Sequence, residues 1–166
     1  MRIRPESTTD FEAVHHVNQL AFGSELEGRI VARIREEASP VISLVADDDG
    51  LVGHILFSPV SRGERDSSII MALGPMAVMP ARQRQGIGSA LVIAGLDACR
   101  DAGVGGVVLI GHPGFYPRFG FRPGSEFGLR SEFEVSDEAF MAMELTEHSL
   151  RTGTGMIHFH PAFFAV

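Results

Sequence analysis

Residues 78–91 have the sequence VMPARQRQGIGSAL and join two segments of different periodicity. The preceding residues, 69–78, are almost all apolar and predict a strand. After the loop, apolar residues recur at the spacing of an amphipathic helix, at Ile87, Leu91, Ala94 and Ala98. Gly86 and Gly88 therefore fall at a helix start, where unpaired backbone N–H groups and the positive end of the helix dipole attract anions. The segment predicts a phosphate-binding loop.

Several kinds of loop fit this pattern to different degrees. A loop for nucleoside triphosphates requires a Gly-Lys-Ser/Thr sequence, and the chain contains no lysine. A dinucleotide-binding loop requires a third small residue at position 91, which is Leu91. An acyl-CoA loop and an ordinary strand-to-helix turn remain open on the residues alone.

The elements around this loop predict a mixed α/β (α+β) domain. Strands are expected at 2–4, 41–46, 52–60, 69–78, 107–110, 140–145 and 156–159, and helices at 11–23, 26–39 and 87–103, with a helical turn at 115–119. Gly74 and Pro75 interrupt the 69–78 strand. Because proline cannot donate to a strand ladder, we expect the strand to bulge or splay there.

Composition limits the class of protein. The 166 residues are 45% hydrophobic and fit one globular domain spanning 1–166. A formal net charge of −7 argues against a nucleic-acid-binding protein. No apolar run reaches the roughly 18 residues of a membrane span, and the first residues contain no apolar signal core. With Cys99 as the one cysteine, these features predict a cytoplasmic protein that does not bind membranes.

Two motifs together resemble the GCN5-related N-acetyltransferase (GNAT) family. The spacing Gln83-x-x-Gly86-x-Gly88 resembles the family's Q/R-x-x-G-x-G/A loop, and the segment from Tyr116 to Phe121 resembles its Tyr-x-x-x-Gly-Phe segment. The stretch 73–121 and the C-terminal residues are most similar to the YhbS-like subgroup. The resemblance implies a mostly antiparallel sheet that splays between strands 4 and 5. It also implies a core of residues 1–125, with C-terminal strands in 126–166 completing the sheet.

The resemblance also assigns residues to acetyl-CoA, the implied acyl donor. Backbone groups of the fourth strand would contact the pantetheine arm at Met76, Ala77 and Val78. The amide of Met76 would donate to the thioester carbonyl, and the phenol of Tyr116 would protonate the leaving thiolate. The pyrophosphate would lie on the amides of Gln85, Gly86, Ile87, Gly88 and Ser89, beside the side chain of Gln83 or Arg84.

The acceptor side is less defined by the sequence. Glu25, Glu27 and His54 are candidates for the base that receives the amine proton, and the base stays unassigned. His158 and His160 share one face of a strand, but no third ligand is indicated and we predict no metal site. The phenylalanine clusters fit a core or a homodimer contact.

The expected activity is therefore acetyl transfer to a primary amine of a small molecule or peptide, by direct attack in a ternary complex. Transfer of a longer acyl group and a non-catalytic acyl-CoA-binding module are the alternatives. The net charge of −7 favours a cationic acceptor over an anionic one.

Overall fold

The structure is a computed structural model that describes residues 1–62, 69–150 and 155–164. In chain order, its helices and strands are β1 Arg2–Pro5, α1 Phe11–Phe22, α2 Leu26–Glu37, β2 Ile42–Asp47, β3 Leu51–Pro59, β4 Ile70–Val78, α3 Ile87–Asp101, β5 Gly106–Ile110, β6 Arg122–Pro123, β7 Leu129–Ser131, β8 Phe140–Glu144 and β9 Gly155–Ile157. None of the helices in these ranges combines the length and apolar character needed to cross a bilayer.

Seven strands form the main sheet in the order β1-β2-β3-β4-β5-β8-β6. Every neighbouring pair is antiparallel except β4 and β5, which run parallel. The helix α3 supplies the crossover between this parallel pair. The mixed, mostly antiparallel sheet flanked by helices confirms the predicted fold class.

The sheet opens between β4 and β5. Their pairing ends at Ala72 opposite Val108, although β4 continues to Val78 and β5 to Ile110. On its other edge β4 carries a bulge, because the register with β3 shifts between Met76 and Leu73. Gly74 lies in this bulge with a φ of 141°, a backbone conformation that disfavours any larger residue. The distortion expected at Gly74 and Pro75 is confirmed, and it leaves a cleft beside the second half of β4.

Apolar side chains on both faces of the sheet are covered by helices. On β3, Ile55 and Phe57 pack in the cluster that includes Leu91 and Leu96 of α3. The intervening Leu56 packs on the opposite face, in a cluster with residues of α1 and α2. This alternation along one strand requires both faces of the sheet to be buried. It holds the central strands, and with them the cleft, in a fixed position.

The C-terminal strands differ from the expectation that all of them complete the main sheet. β8 does join it, between β5 and β6. β9 instead pairs in parallel with β7 in a separate two-stranded sheet. The outer edge of β8 is occupied by β6, whose two residues include Pro123 and offer little edge for another strand.

Candidate active site

The start of α3 presents free backbone donors to the cleft. The first backbone bond of this helix runs from the Ala90 amide to the Gly86 carbonyl, at 3.0 Å. The amides of Ile87, Gly88 and Ser89 therefore have no partner inside the helix. Gly86 caps the helix with a left-handed φ of 84°, which glycine adopts without a steric penalty. These donors and the helix dipole form an anion-binding end.

This helix end opens into a groove of about 540 Å³, which we call the donor groove. Its lining residues are Met76, Val78, Arg82, Gln83, Arg84, Gly86, Ile87, Gly88, Ser89, Phe115 and Arg118. These described residues include three arginines and no carboxylate. The groove is therefore suited to a ligand that carries several phosphate charges.

Neighbouring side chains hold two of these arginines in place. The guanidinium of Arg82 donates to Asp48 at 2.7 Å and to Gln85 at 3.1 Å. The same contact with Arg82 lowers the pKa of the Asp48 carboxyl. The guanidinium of Arg118 lies over the ring of Phe115, 4.8 Å from its centroid. The charges are fixed at the groove before any ligand arrives.

The register of β4 decides which backbone groups face the cleft. The amide of Met79 donates to the carbonyl of Val52 at 2.8 Å, so this pair is hydrogen-bonded. Hydrogen-bonded and non-hydrogen-bonded pairs alternate along an antiparallel ladder, so the backbone N–H and C=O groups of Ala77, two residues before Met79, point toward β3. The same alternation directs the backbone groups of Met76 and Val78 toward the open side, where the Val78 carbonyl accepts from the Gln83 side chain at 3.1 Å.

Two residues predicted to bind the cofactor do not line the donor groove. Ala77 is buried, with its backbone directed to His54 across the ladder. Gln85 is exposed, and its side chain bonds to Arg82 and to the Ala81 carbonyl. The other residues predicted to bind the cofactor line the donor groove: Met76, Val78, Gln83, Arg84, Gly86, Ile87, Gly88 and Ser89.

Three residues that line the donor groove are not among the cofactor-binding residues predicted from the sequence, namely Arg82, Phe115 and Arg118. The charge of Arg82 beside the loop is visible in the sequence. Arg118 lies two residues after Tyr116, inside the segment from Tyr116 to Phe121, so its positive charge next to that motif was a usable signal.

A second cavity of about 580 Å³ lies on the other side of Met76, and we call it the acceptor cavity. Its lining residues are Phe22, Glu27, Ile30, Ala72, Leu73, Gly74, Pro75, Met76, Ile110, Tyr116, Phe133, Glu134, Val135, Phe159 and Phe163. The described lining residues are mostly apolar and include two carboxylates and no cation. Met76 lines both the donor groove and this cavity.

Tyr116 lines the acceptor cavity, and the preceding residue, Phe115, lines the donor groove. Tyr116 begins a short 3-10 helix, Tyr116–Phe119, and its ring makes edge contacts with Phe115 and Phe121. Burial raises the pKa of the Tyr116 phenol above its ordinary value of 10. In the part of the chain that the structure describes, no side chain or backbone group bonds to its hydroxyl. The phenol is thus held protonated and free to donate.

Of the three candidate bases, only Glu27 lines the acceptor cavity. Glu25 forms an exposed ion pair with Arg29 at 3.0 Å. His54 is fully buried between the hydroxyl of Ser43, at 2.9 Å, and the side chain of Asn18, at 3.3 Å. Burial, with the nearby charge of Arg35, lowers the pKa of His54 to about 3. His54 is therefore a neutral group of the core.

Comparison with known proteins identifies the class of this site. The model of the Acetyltransferase (GNAT) family matches residues 5–121. The chain therefore belongs to this family of acetyltransferases, which confirms the family and the enzyme class expected from the two motifs.

Individual relatives match almost the whole chain. The uncharacterized N-acetyltransferase YhbS of Escherichia coli K12 is 32% identical over 165 residues, covering 98% of each chain. The crystal structure of E. coli YhbS in complex with CoA superimposes with a TM-score of 0.90, at 31% identity, over 98% of this chain and 91% of that one. A family member from Brucella melitensis, solved in complex with acetyl-CoA, has a TM-score of 0.79 at 35% identity and covers 98% and 97% of the two chains.

Proposed function

We propose that this protein transfers an acetyl group from acetyl-CoA to the primary amine of a small molecule or peptide, by direct attack in a ternary complex. One observation carries the proposal: Met76 lines both an arginine-lined groove and a mostly apolar cavity that contains two carboxylates, and Tyr116 also lines that cavity. A polyanionic donor and a cationic acceptor can therefore reach the same point from opposite sides.

The donor groove supports acetyl-CoA as the acyl donor. The free amides of Ile87, Gly88 and Ser89 suit a pyrophosphate, and Arg82, Arg84 and Arg118 supply the opposite charge. The structures of YhbS with CoA and of the Brucella protein with acetyl-CoA support the same assignment. The cleft-facing backbone of Met76 and Val78 offers the pantetheine arm an edge to pair with.

The reaction then uses the amide of Met76 and the phenol of Tyr116, two residues that line the acceptor cavity. The amine nitrogen attacks the thioester carbonyl, forming a C–N bond, and the carbonyl oxygen accepts a hydrogen bond from the Met76 amide as its negative charge develops. The C–S bond breaks, and the thiolate takes a proton from the Tyr116 phenol. The acceptor nitrogen loses one proton to water before the attack, because an ammonium group has no lone pair, and a second proton after the C–N bond has formed. The phenolate regains one proton from water, so that charge and protons balance.

Two measurements test this function. Calorimetry with CoA tests the donor groove, and CoA release in the presence of a panel of amines tests transfer. We expect binding, amine-dependent release, and initial-rate plots that intersect when both substrates are varied. Tight CoA binding without release on any amine would instead indicate a binding module. Parallel plots would indicate a covalent acetyl-enzyme, and faster release from longer acyl-CoA donors would reassign the acyl group.

The cytoplasmic location and the homodimer considered from the sequence are also part of this proposal. Burial raises the pKa of the Cys99 thiol to about 12, so this cysteine is an inert core residue. A free cysteine of this kind is compatible with the predicted cytoplasmic location. The predicted homodimer is tested by light scattering of the purified protein.

A further inference from the structure

The acceptor cavity contains an unusual acidic group. Glu27 lies on α2, and its Oε2 atom is buried without a hydrogen-bond partner among the described residues. A buried carboxylate oxygen that has lost water and gained no partner is costly. Glu27 also forms no ion pair with the residues that the structure describes. The group is therefore available to a ligand in the cavity.

The charges of the two spaces at Met76 are opposite. The donor groove contains three arginines and no acid, whereas the acceptor cavity contains Glu27 and Glu134 and, among its described lining residues, no arginine or histidine. Among the described residues that line this cavity, a carboxylate or phosphate on the acceptor would meet only like charge. A cationic amine would meet the unpartnered oxygen of Glu27.

The rest of the cavity wall is apolar and aromatic. Phe159 lies between Phe133 and Phe163, with ring centroids 5.4 and 6.2 Å away. Phe22 and Ile30 contribute from the helices. The volume of about 580 Å³ lies within the range of roughly 300–1,000 Å³ that small-molecule sites occupy. Burial of an apolar ligand against this wall is favourable, whereas a ligand with many hydroxyl groups would lose hydrogen bonds to water without gaining partners in the wall.

We infer that the acceptor is an apolar primary amine, an aryl-alkyl or branched alkyl amine without a neighbouring carboxylate, whose ammonium group is bound by Glu27. This inference rests on the proposed acetyl transfer and specifies its substrate class. Glu134 is exposed at the rim of the cavity and contributes to attraction of the cation. Glu27 binds the amine directly, and the apolar body lies against the phenylalanine wall.

Matched amines test the substrate class. 2-Phenylethylamine carries both the amine and the apolar group. Phenylalanine has the same apolar group with a carboxylate beside the amine. Ethylamine lacks the phenyl group, and spermidine carries further cationic groups in place of it. We expect kcat/KM for 2-phenylethylamine to exceed that of each of the others by about tenfold or more. A preference for phenylalanine, ethylamine or spermidine would overturn the inference while leaving acetyl transfer established.

Two variants on the same helix test the role of Glu27. Glu27→Gln removes the charge in the cavity, and Glu25→Gln removes a neighbouring charge that pairs with Arg29 outside it. We expect Glu27→Gln to raise KM for 2-phenylethylamine by about tenfold, with the Kd for acetyl-CoA unchanged. Glu25→Gln should leave both constants unchanged. Equal effects of the two variants would contradict the assignment.

A readout independent of turnover separates this inference from the proposed function. Calorimetric titration of 2-phenylethylamine into the CoA-loaded protein should give saturable binding that Glu27→Gln weakens by a similar factor. If CoA binds but no amine is acetylated, the proposed function fails, and this titration still decides whether the cavity takes an apolar amine. Absence of binding to the wild-type protein would overturn the inference.

Discussion

The ring of Tyr116 lies directly against the backbone of Gly111. A Cβ atom at Gly111 would fall 2.6 Å from Cε2 of the tyrosine ring and 3.2 Å from a methyl carbon of Leu109. The residue that follows β5 thus has no side chain, because the ring of Tyr116 occupies the space that a side chain would need. Gly111 fixes the depth to which Tyr116 enters the acceptor cavity.

We therefore expect Gly111→Ala to lower kcat by displacing the Tyr116 ring. The φ of Gly111 lies outside the left-handed region, so the backbone accepts alanine and the clash is with side chains, chiefly with the Tyr116 ring. A displacement near 1 Å at a reacting group costs up to about 100-fold in rate. Calorimetry should give an unchanged Kd for CoA, because Gly111 does not line the donor groove. A folded variant with the wild-type kcat would show that the position of Tyr116 is unimportant.

Replacing the phenol itself gives a second prediction. Tyr116→Phe removes the proton donor but keeps the ring contacts with Phe115 and Phe121, and kcat should fall by roughly 10²–10⁴-fold. Because burial raises the pKa of the phenol, the wild-type acid form persists to higher pH than that of an exposed tyrosine. A pH–rate profile of the wild-type enzyme should then show any alkaline loss of activity from this group at higher pH than an exposed tyrosine would give. A wild-type rate in the variant would remove Tyr116 from the mechanism.

The donor groove was largely predictable because its signal is local. The spacing of Gly86 and Gly88, read against the helical period that begins at Ile87, is enough to place free amides at a helix start. The kink at Gly74 and Pro75 was likewise visible, because each residue disturbs a strand through its own backbone.

The features that could not be predicted from the sequence depend on the register between strands that are far apart in the chain. Whether the backbone of Ala77 faces the cleft or β3 follows from the hydrogen-bonded pair of Met79 with Val52, 27 residues apart in the chain. The pairing of β9 with β7 is a similar case. The choice of Glu27 over Glu25 had a usable signal, since Glu27 lies three residues before Ile30 and shares its helix face.

The arginines of the donor groove predict a salt-sensitive interaction with CoA. Arg118→Gln removes one guanidinium from the groove, and we expect the Kd for CoA to rise by about tenfold at low ionic strength. The difference from wild type should shrink as salt is added. Arg100→Gln is the matched control, because Arg100 lies near the far end of α3 and pairs with Asp97. Equal Kd values for the two variants would exclude Arg118 from the CoA site.

The buried His54 predicts how the free energy of unfolding depends on pH. In the folded protein its pKa is lowered to about 3 by burial, whereas in the unfolded chain it is near 6.5. Below pH 6.5 the unfolded chain therefore binds a proton that the folded protein does not, and stability falls as pH decreases toward the folded pKa. This one group should cost about 1.4 kcal/mol per pH unit, or about 2 kcal/mol between pH 6.5 and 5.

Urea unfolding of the wild type and of His54→Gln at several pH values measures this contribution. The variant loses the hydrogen bonds to Ser43 and Asn18, so it should be less stable than wild type at pH 7.5. It should also lose less stability on acidification, so that the two curves converge near pH 5. His148→Gln, at an exposed position, serves as the histidine control. A pH slope in His54→Gln as steep as that of the wild type would mean that His54 takes up a proton in the folded protein, and that the interior around Asn18 and Ser43 admits the charge.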